Sequence, residues 1–197
     1  MEKRNIGARI AIYPVPLYLV GIYDRKGKPN VMTVGWGGVC CSVPPCLSVS
    51  VRKETHTYDA LMERRAFTVN LPSAEFAGIV SYVGSVSGKD ENKFDKCGIT
   101  PERSEFVDAP YIKEMPVNLE CSIIQIHEIG SHVQFVGEII NVKIDDNLSE
   151  GVPFIEQCTP LFMPLEIITA IIVSVILLNM KVSYKNGEFF IRKAEGF

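Results

Sequence analysis

The residues with the clearest chemistry lie between Arg52 and Thr57. Arg52 and Lys53 end an alternating segment, and Thr55 and Thr57 follow where a helix is expected to begin. Two cations, hydroxyls and free backbone N–H groups at a helix start form a seat for a phosphate monoester. The same residues also read as an exposed cationic turn with a helix cap. His56 falls inside that turn and is expected to shape it rather than to act in catalysis. Upstream, Gly35, Gly37 and Gly38 would let the backbone approach a flat ligand closely. Cys40 and Cys41 are adjacent thiols, readable as a redox pair or as small fillers of a tight corner. His132 follows the Gly130-Ser131 turn, where a histidine is either a titrating group or a partly exposed surface residue. Lys93-Phe94 sets a cation beside an aromatic ring at the end of a polar run that, alone, reads as a solvated loop. Asp145-Asp146 and Glu63-Arg64-Arg65 read as solvated charge. No catalytic triad, carboxylate pair, metal-ligand spacing, G-x-G-x-x-G or Walker A sequence occurs.

Short strands at regular spacing would position these groups. In Cys46–Arg52, Leu47, Val49 and Val51 alternate with Ser48, Ser50 and Arg52, the period of a half-buried strand. The helix after it should turn Tyr58, Leu61 and Met62 inward. Leu17–Tyr23 and Asn30–Gly35 read as strands joined by a hairpin loop at Asp24–Lys28. Phe67–Leu71 is a further strand, and Ser73 caps a helix whose apolar stripe is Phe76, Ile79, Val80 and Val83, with Gly84 ending it. Gly98–Met115 reads as an irregular connection. Asn118–Ile126 and His132–Ile144 read as strands, with Gly137 as a bulge. This pattern predicts an all-β barrel with a few helical insertions.

At 197 residues the chain is expected to be one domain, with a loose arm over residues 1–12 and an atypical apolar segment over 160–197. Hydrophobic residues make up 47% and charged residues 22%, an ordinary globular balance. A net charge of −3 and a pI near 5.7 argue against a nucleic-acid binder. The charged start Met1–Arg4 does not resemble a secretion signal, so the six cysteines are expected to be reduced thiols in the cytoplasm. The uncharged core of the tail, Ile167–Met180, is 14 residues long, whereas a membrane helix needs about 20. A buried strand or helix, at a dimer interface, is therefore the preferred reading over a membrane anchor. Asn186-Gly187 signals a hairpin beyond it.

Taken together, N-x-M-T-x-x-W at 30–36, Pro44-Pro45, R-K-x-T-x-T at 52–57 and F-T-V-N-L-P at 67–72 resemble the flavin reductase-like family, closest to its flavoredoxin branch. The resemblance runs from about Gly7 to Ile144 and implies an FMN-binding split β-barrel of Greek-key type with a few short helices. It implies that Asn30, Met32 and Thr33 meet the isoalloxazine edge and that Trp36 packs near the ring, where its other reading is a core indole. Arg52, Lys53 and Thr57 would hold the phosphate. Lys93, in the family's S-G-x-x-x-x-K-F element, would lie near the pyrimidine carbonyls or the ribityl phosphate. His132 would reach the open flavin face, orienting a nicotinamide or relaying a proton. The family implies a homodimer using FMN, with NAD(P)H or a protein as electron donor and flavin or a redox partner as acceptor. An electron carrier with no NAD(P)H activity of its own stands as the alternative, and a degenerate barrel that has lost its cofactor as a third. The tyrosine-rich C-terminal motif of the family is only faintly echoed by Glu188–Arg192, so no contacts carry over from it.

Overall fold

The computed structural model describes residues 1–12, 14–148, 162–163, 180–185 and 188–193. Residues 1–12 are exposed and carry neither helix nor strand. The chain then forms β1 (Val15–Pro16), β2 (Tyr18–Tyr23), β3 (Pro29–Val34), β4 (Gly37–Ser42), β5 (Pro45–Val51), α1 (His56–Arg64) and β6 (Ala66–Leu71). A single 3-10 turn leads into α2 (Ala77–Ser85), and α3 (Lys93–Cys97) follows. Next come β7 (Pro101–Arg103), β8 (Pro110–Ile112), β9 (Val117–Ile129), β10 (His132–Ile144) and β11 (Phe162–Met163). The last described strands are β12 (Met180–Lys185) and β13 (Glu188–Lys193).

Seven strands make one sheet in the order β3-β2-β6-β9-β10-β5-β4. Its two edges, β3 and β4, are consecutive in the chain, so the Gly35-Trp36 elbow brings the ends of the sheet together. β3 and β5 are not paired as strands; the Ser50 amide donates to the Trp36 carbonyl at 2.7 Å, continuing the β4–β5 ladder into that elbow. The result is a barrel split along one line. Its interior is filled by Val20, Ile22, Val49, Phe67, Val69 and Phe135, among others. Gly137 is where β10 slips register against β9, and a Cβ there would stand 2.7 Å from the Phe67 ring. The expected bulge is thus also a close approach between β10 and the core aromatic ring.

A second apolar layer lies outside the barrel, where α2 and α3 cover β2 and β3 through Leu19, Val31, Val80, Val83 and Phe94. Burial on both faces explains why β2 is apolar throughout instead of alternating. β6 is also buried on both faces, with Thr68 and Asn70 as polar members. Asn70 Nδ2 donates to the Leu19 carbonyl at 2.7 Å, and Asn70 Oδ1 accepts from the Ile112 amide at 2.8 Å. The Thr68 hydroxyl donates to the Pro110 carbonyl at 2.6 Å. Paired in this way, the buried polar groups fasten the β7–β8 ribbon to the barrel and avoid the cost of unsatisfied burial.

Three local expectations change. Gly98–Met115 holds the β7–β8 ribbon and is not irregular throughout. Met62 faces outward and is 43% exposed, while Ala60 and Leu61 are buried beneath α1. Ser73 stands at the N-cap position of the 3-10 turn but makes no side-chain cap, its hydroxyl donating to the Glu75 carboxylate at 2.9 Å, while α2 ends one residue after Gly84. The hairpin expected around Asn186-Gly187 is present as the β12–β13 pairing, from Met180 opposite Lys193 to Lys185 opposite Glu188. Most of the apolar run 161–182, including residues 167–179, lies outside the described residues. No helix among the described residues is long and apolar enough to cross a membrane.

Candidate functional site

A cleft of about 450 Å³ opens where β3, the β5–α1 turn and the α2–α3 connection meet. That volume falls in the range of small-ligand pockets. Asn30, Met32, Arg52, Thr57 and Lys93 all line it, so five of the sequence-derived candidates come together from separated parts of the chain. Asn30 is buried, with its Nδ2 3.4 Å from the Thr57 hydroxyl, which links β3 to the first turn of α1.

The helix start itself is open to a ligand. Thr55 occupies the N-cap position but makes no side-chain cap; its hydroxyl donates to the Arg52 carbonyl at 2.8 Å. First-turn N–H groups are therefore not capped by a side chain, and the positive end of the helix dipole faces the cleft beside the Arg52 guanidinium. His56 and Glu54 also line this wall. His56 Nε2 stands 3.9 Å from Asp24 Oδ2, and that carboxylate's other oxygen accepts from the Lys26 and Lys28 amides.

The opposite wall is backbone from the end of α2 and the loop after it. At Gly88 a Cβ would stand 2.2 Å from Asn30 Oδ1 and 2.9 Å from His56 Cδ2, so this loop lies directly on the cleft floor. Only a residue without a side chain allows that approach. Lys93, at the start of α3, is 4% exposed and donates to the Val83 carbonyl at 2.8 Å. Burial lowers its pKa to about 8.

Other candidates lie elsewhere. Lys53 turns away from the cleft to the Glu128 carboxylate at 2.8 Å. Thr33 faces α2, where its hydroxyl donates to the Val80 carbonyl at 2.6 Å. Trp36 and His132 pack edge to face, with centroids 6.5 Å apart, and the His132 Nδ1 lies 2.8 Å from the Ser131 hydroxyl. Neither residue lines the cleft. Since Val133 pairs with Val51, His132 stands beside the strand end that delivers Arg52. Gly37 packs against the Ser48 carbonyl and the Tyr18 ring, Gly38 has open space around it, and neither lines the cleft. Sequence reasoning placed Ser87-Gly88, in the S-G-x-x-x-x-K-F element, at the site but missed the contribution of Val83–Val86, whose positions follow from how α2 docks on β3. Among the described residues, no three His, Cys, Asp or Glu side chains could hold a metal ion.

The family model for the flavin reductase like domain matches residues 10–165. The chain belongs to that family. A flavoredoxin from Desulfovibrio vulgaris (Miyazaki F) superposes with a TM-score of 0.81 at 42% identity, covering 89% of this chain and 96% of that one. A flavoredoxin from Methanosarcina acetivorans gives 0.77 at 34% identity, covering 84% and 88%. An uncharacterized protein from Archaeoglobus fulgidus is 37% identical over 142 residues, 72% of this chain and 79% of its own. The family's split-barrel architecture, expected from the ordered motifs, is the one observed.

Proposed function

We propose that this chain is an FMN-binding electron-transfer protein of the flavoredoxin kind, with the cofactor held in the cleft between β3, α1 and α3. The observation that carries this reading is the meeting of Arg52 and the uncapped start of α1 with Asn30, Met32 and Lys93 around one cavity. The residues fit the cofactor's chemistry. Arg52, the first-turn N–H groups of α1 and the Thr57 hydroxyl hold the phosphate. Asn30 offers an amide and Met32 an adaptable apolar surface to the ring. Lys93 supplies a buried cation that favours negative charge on the ligand, and the loop at Gly88 lies against Asn30 and His56. FMN, when bound, supplies one- and two-electron chemistry, while the protein orients it and tunes its electronics.

Similarity to two flavoredoxins, at 42% and 34% identity, supports a carrier that exchanges electrons with a protein partner over one that oxidises NAD(P)H directly. The nicotinamide-dependent reading keeps the same cleft and assigns His132, beside the Trp36 ring, to orienting the donor. Anaerobic mixing separates the two. Flavin bleaching should be slow with NADH or NADPH and prompt with a reduced electron-carrier protein. Prompt bleaching by either nicotinamide would overturn the carrier reading.

A further inference from the structure

The cysteines of the β4–β5 hairpin lie at the end of the barrel away from the cleft. Six residue steps along β5 separate Cys46 from Arg52, about 20 Å of extended chain. Cys41 and Cys46 are direct cross-strand partners, and Ser42 and Pro45 pair next to the turn. Directly opposed residues of an antiparallel pair have Cα atoms about 4.5–5.5 Å apart, inside the range a disulfide spans. Both sulfurs are directed at the same tip. The Cys41 thiol donates to the Val43 carbonyl at 3.4 Å and the Cys46 thiol to the Pro44 carbonyl at 3.3 Å. The register shifts between Val39 and Cys41, making Cys40 the extra residue of a bulge beside the pair. Burial, followed by the nearby Cys41 and Cys40 sulfurs and Glu138, pushes the Cys46 thiol up, which agrees with this crowding.

We propose that Cys41 and Cys46 form a thiol–disulfide exchange site for small disulfides at the tip of the β4–β5 hairpin. Exposure assigns the roles: Cys41 is open to solvent, and Cys46 is 2% exposed. Cys41 gives its proton to water, and the thiolate attacks one sulfur of the incoming disulfide, expelling one thiolate and leaving a mixed disulfide. Cys46 gives its proton to the first expelled thiolate, attacks the Cys41 sulfur and expels the second thiolate, which takes back the proton that Cys41 gave to water. Two protein thiols are oxidised to one cross-strand disulfide, and the small disulfide is reduced to two thiols. The sequence offers the adjacent Cys40-Cys41 as a pair; the register instead sets Cys41 directly opposite Cys46 and leaves Cys40 in the bulge without a cross-strand partner.

The test is to treat the reduced holoprotein with oxidised glutathione, alkylate the remaining thiols and map the peptides by mass spectrometry. A bridge joining Cys41 to Cys46, with two fewer alkylated thiols and no retained glutathione, is expected. Cys46→Ser should trap one glutathione on Cys41, and Cys40→Ser should still close the bridge. The proposal falls if wild-type thiols all remain alkylated, if the mixed disulfide persists, or if the bridge joins another pair. Wild-type peptide mapping decides the matter even if a variant fails to fold. The flavin spectrum should be unchanged by oxidation, so the outcome is separate from that of the FMN reading.

Discussion

At the residue scale, Arg52 and Lys53 look equivalent in the sequence, yet only Arg52 faces the cleft. Hydrogen bonds to charged groups contribute about 1.5–3 kcal/mol, or about 10- to 100-fold in Kd. Arg52→Ala should therefore weaken FMN binding by that factor and reduce its salt dependence, while Lys53→Ala leaves the affinity unchanged in a fluorescence titration. A larger loss in Lys53→Ala than in Arg52→Ala would mean that the phosphate lies on the Glu128 side of the turn. Lys93 gives a pH signature. With its folded pKa at about 8 and an unfolded value near 10.4, the unfolded chain binds more protons between those limits, so stability should rise with pH from about 8 to 10. FMN affinity should do the reverse, being constant between about pH 7 and 8, where the phosphate is fully ionised, and falling above it as the ammonium loses its proton. Lys93→Met should remove both slopes, as checked by denaturant melts and titrations across that range.

At the element scale, the strands were legible because period-2 alternation and turn residues mark them locally: β5, the β2–β3 hairpin and the β9–β10 pair follow from those signals. The features that failed depend on docking. Met62 follows a helical stripe on paper, but the buried face of α1 is set by where it lands on the barrel, and that face centres on Ala60 and Leu61. Ribbon β7–β8 is too short and too proline-rich to announce itself, and it forms because Thr68 and Asn70 hold its backbone. The cleft was legible only in part for the same reason. Arg52 and Thr57 sit in a local motif, whereas the wall at Val83–Val86 exists only once α2 packs on β3. Gly88 tests that wall. Gly88→Ala places a methyl group against Asn30, so the loop must lift, and FMN affinity should fall at least tenfold with little change in the melting temperature. Gly137→Ala drives a methyl group into Phe67 in the core and should instead destabilise the whole fold by about 1–3 kcal/mol, read from urea unfolding.

At the scale of the whole molecule, one sheet curls into a split barrel, and the helices on its outer face complete a cleft at one end while a thiol pair occupies the other. The long β9–β10 hairpin exposes Ile124, Ile129, Ile140 and Val142. Apolar side chains left outside in this number suit a contact between copies, and sedimentation velocity should report a dimer whose affinity is independent of FMN phosphate contacts. A monomer at micromolar concentration would contradict the homodimer expected from the family resemblance.

The most direct test of the phosphate seat compares FMN with riboflavin, which has the same ring and lacks the phosphate, by flavin fluorescence quenching on the apoprotein. FMN is expected to bind at least tenfold more tightly, with the difference collapsing in Arg52→Ala. Equal affinity for the two flavins in the native protein, or no binding of FMN, would contradict it.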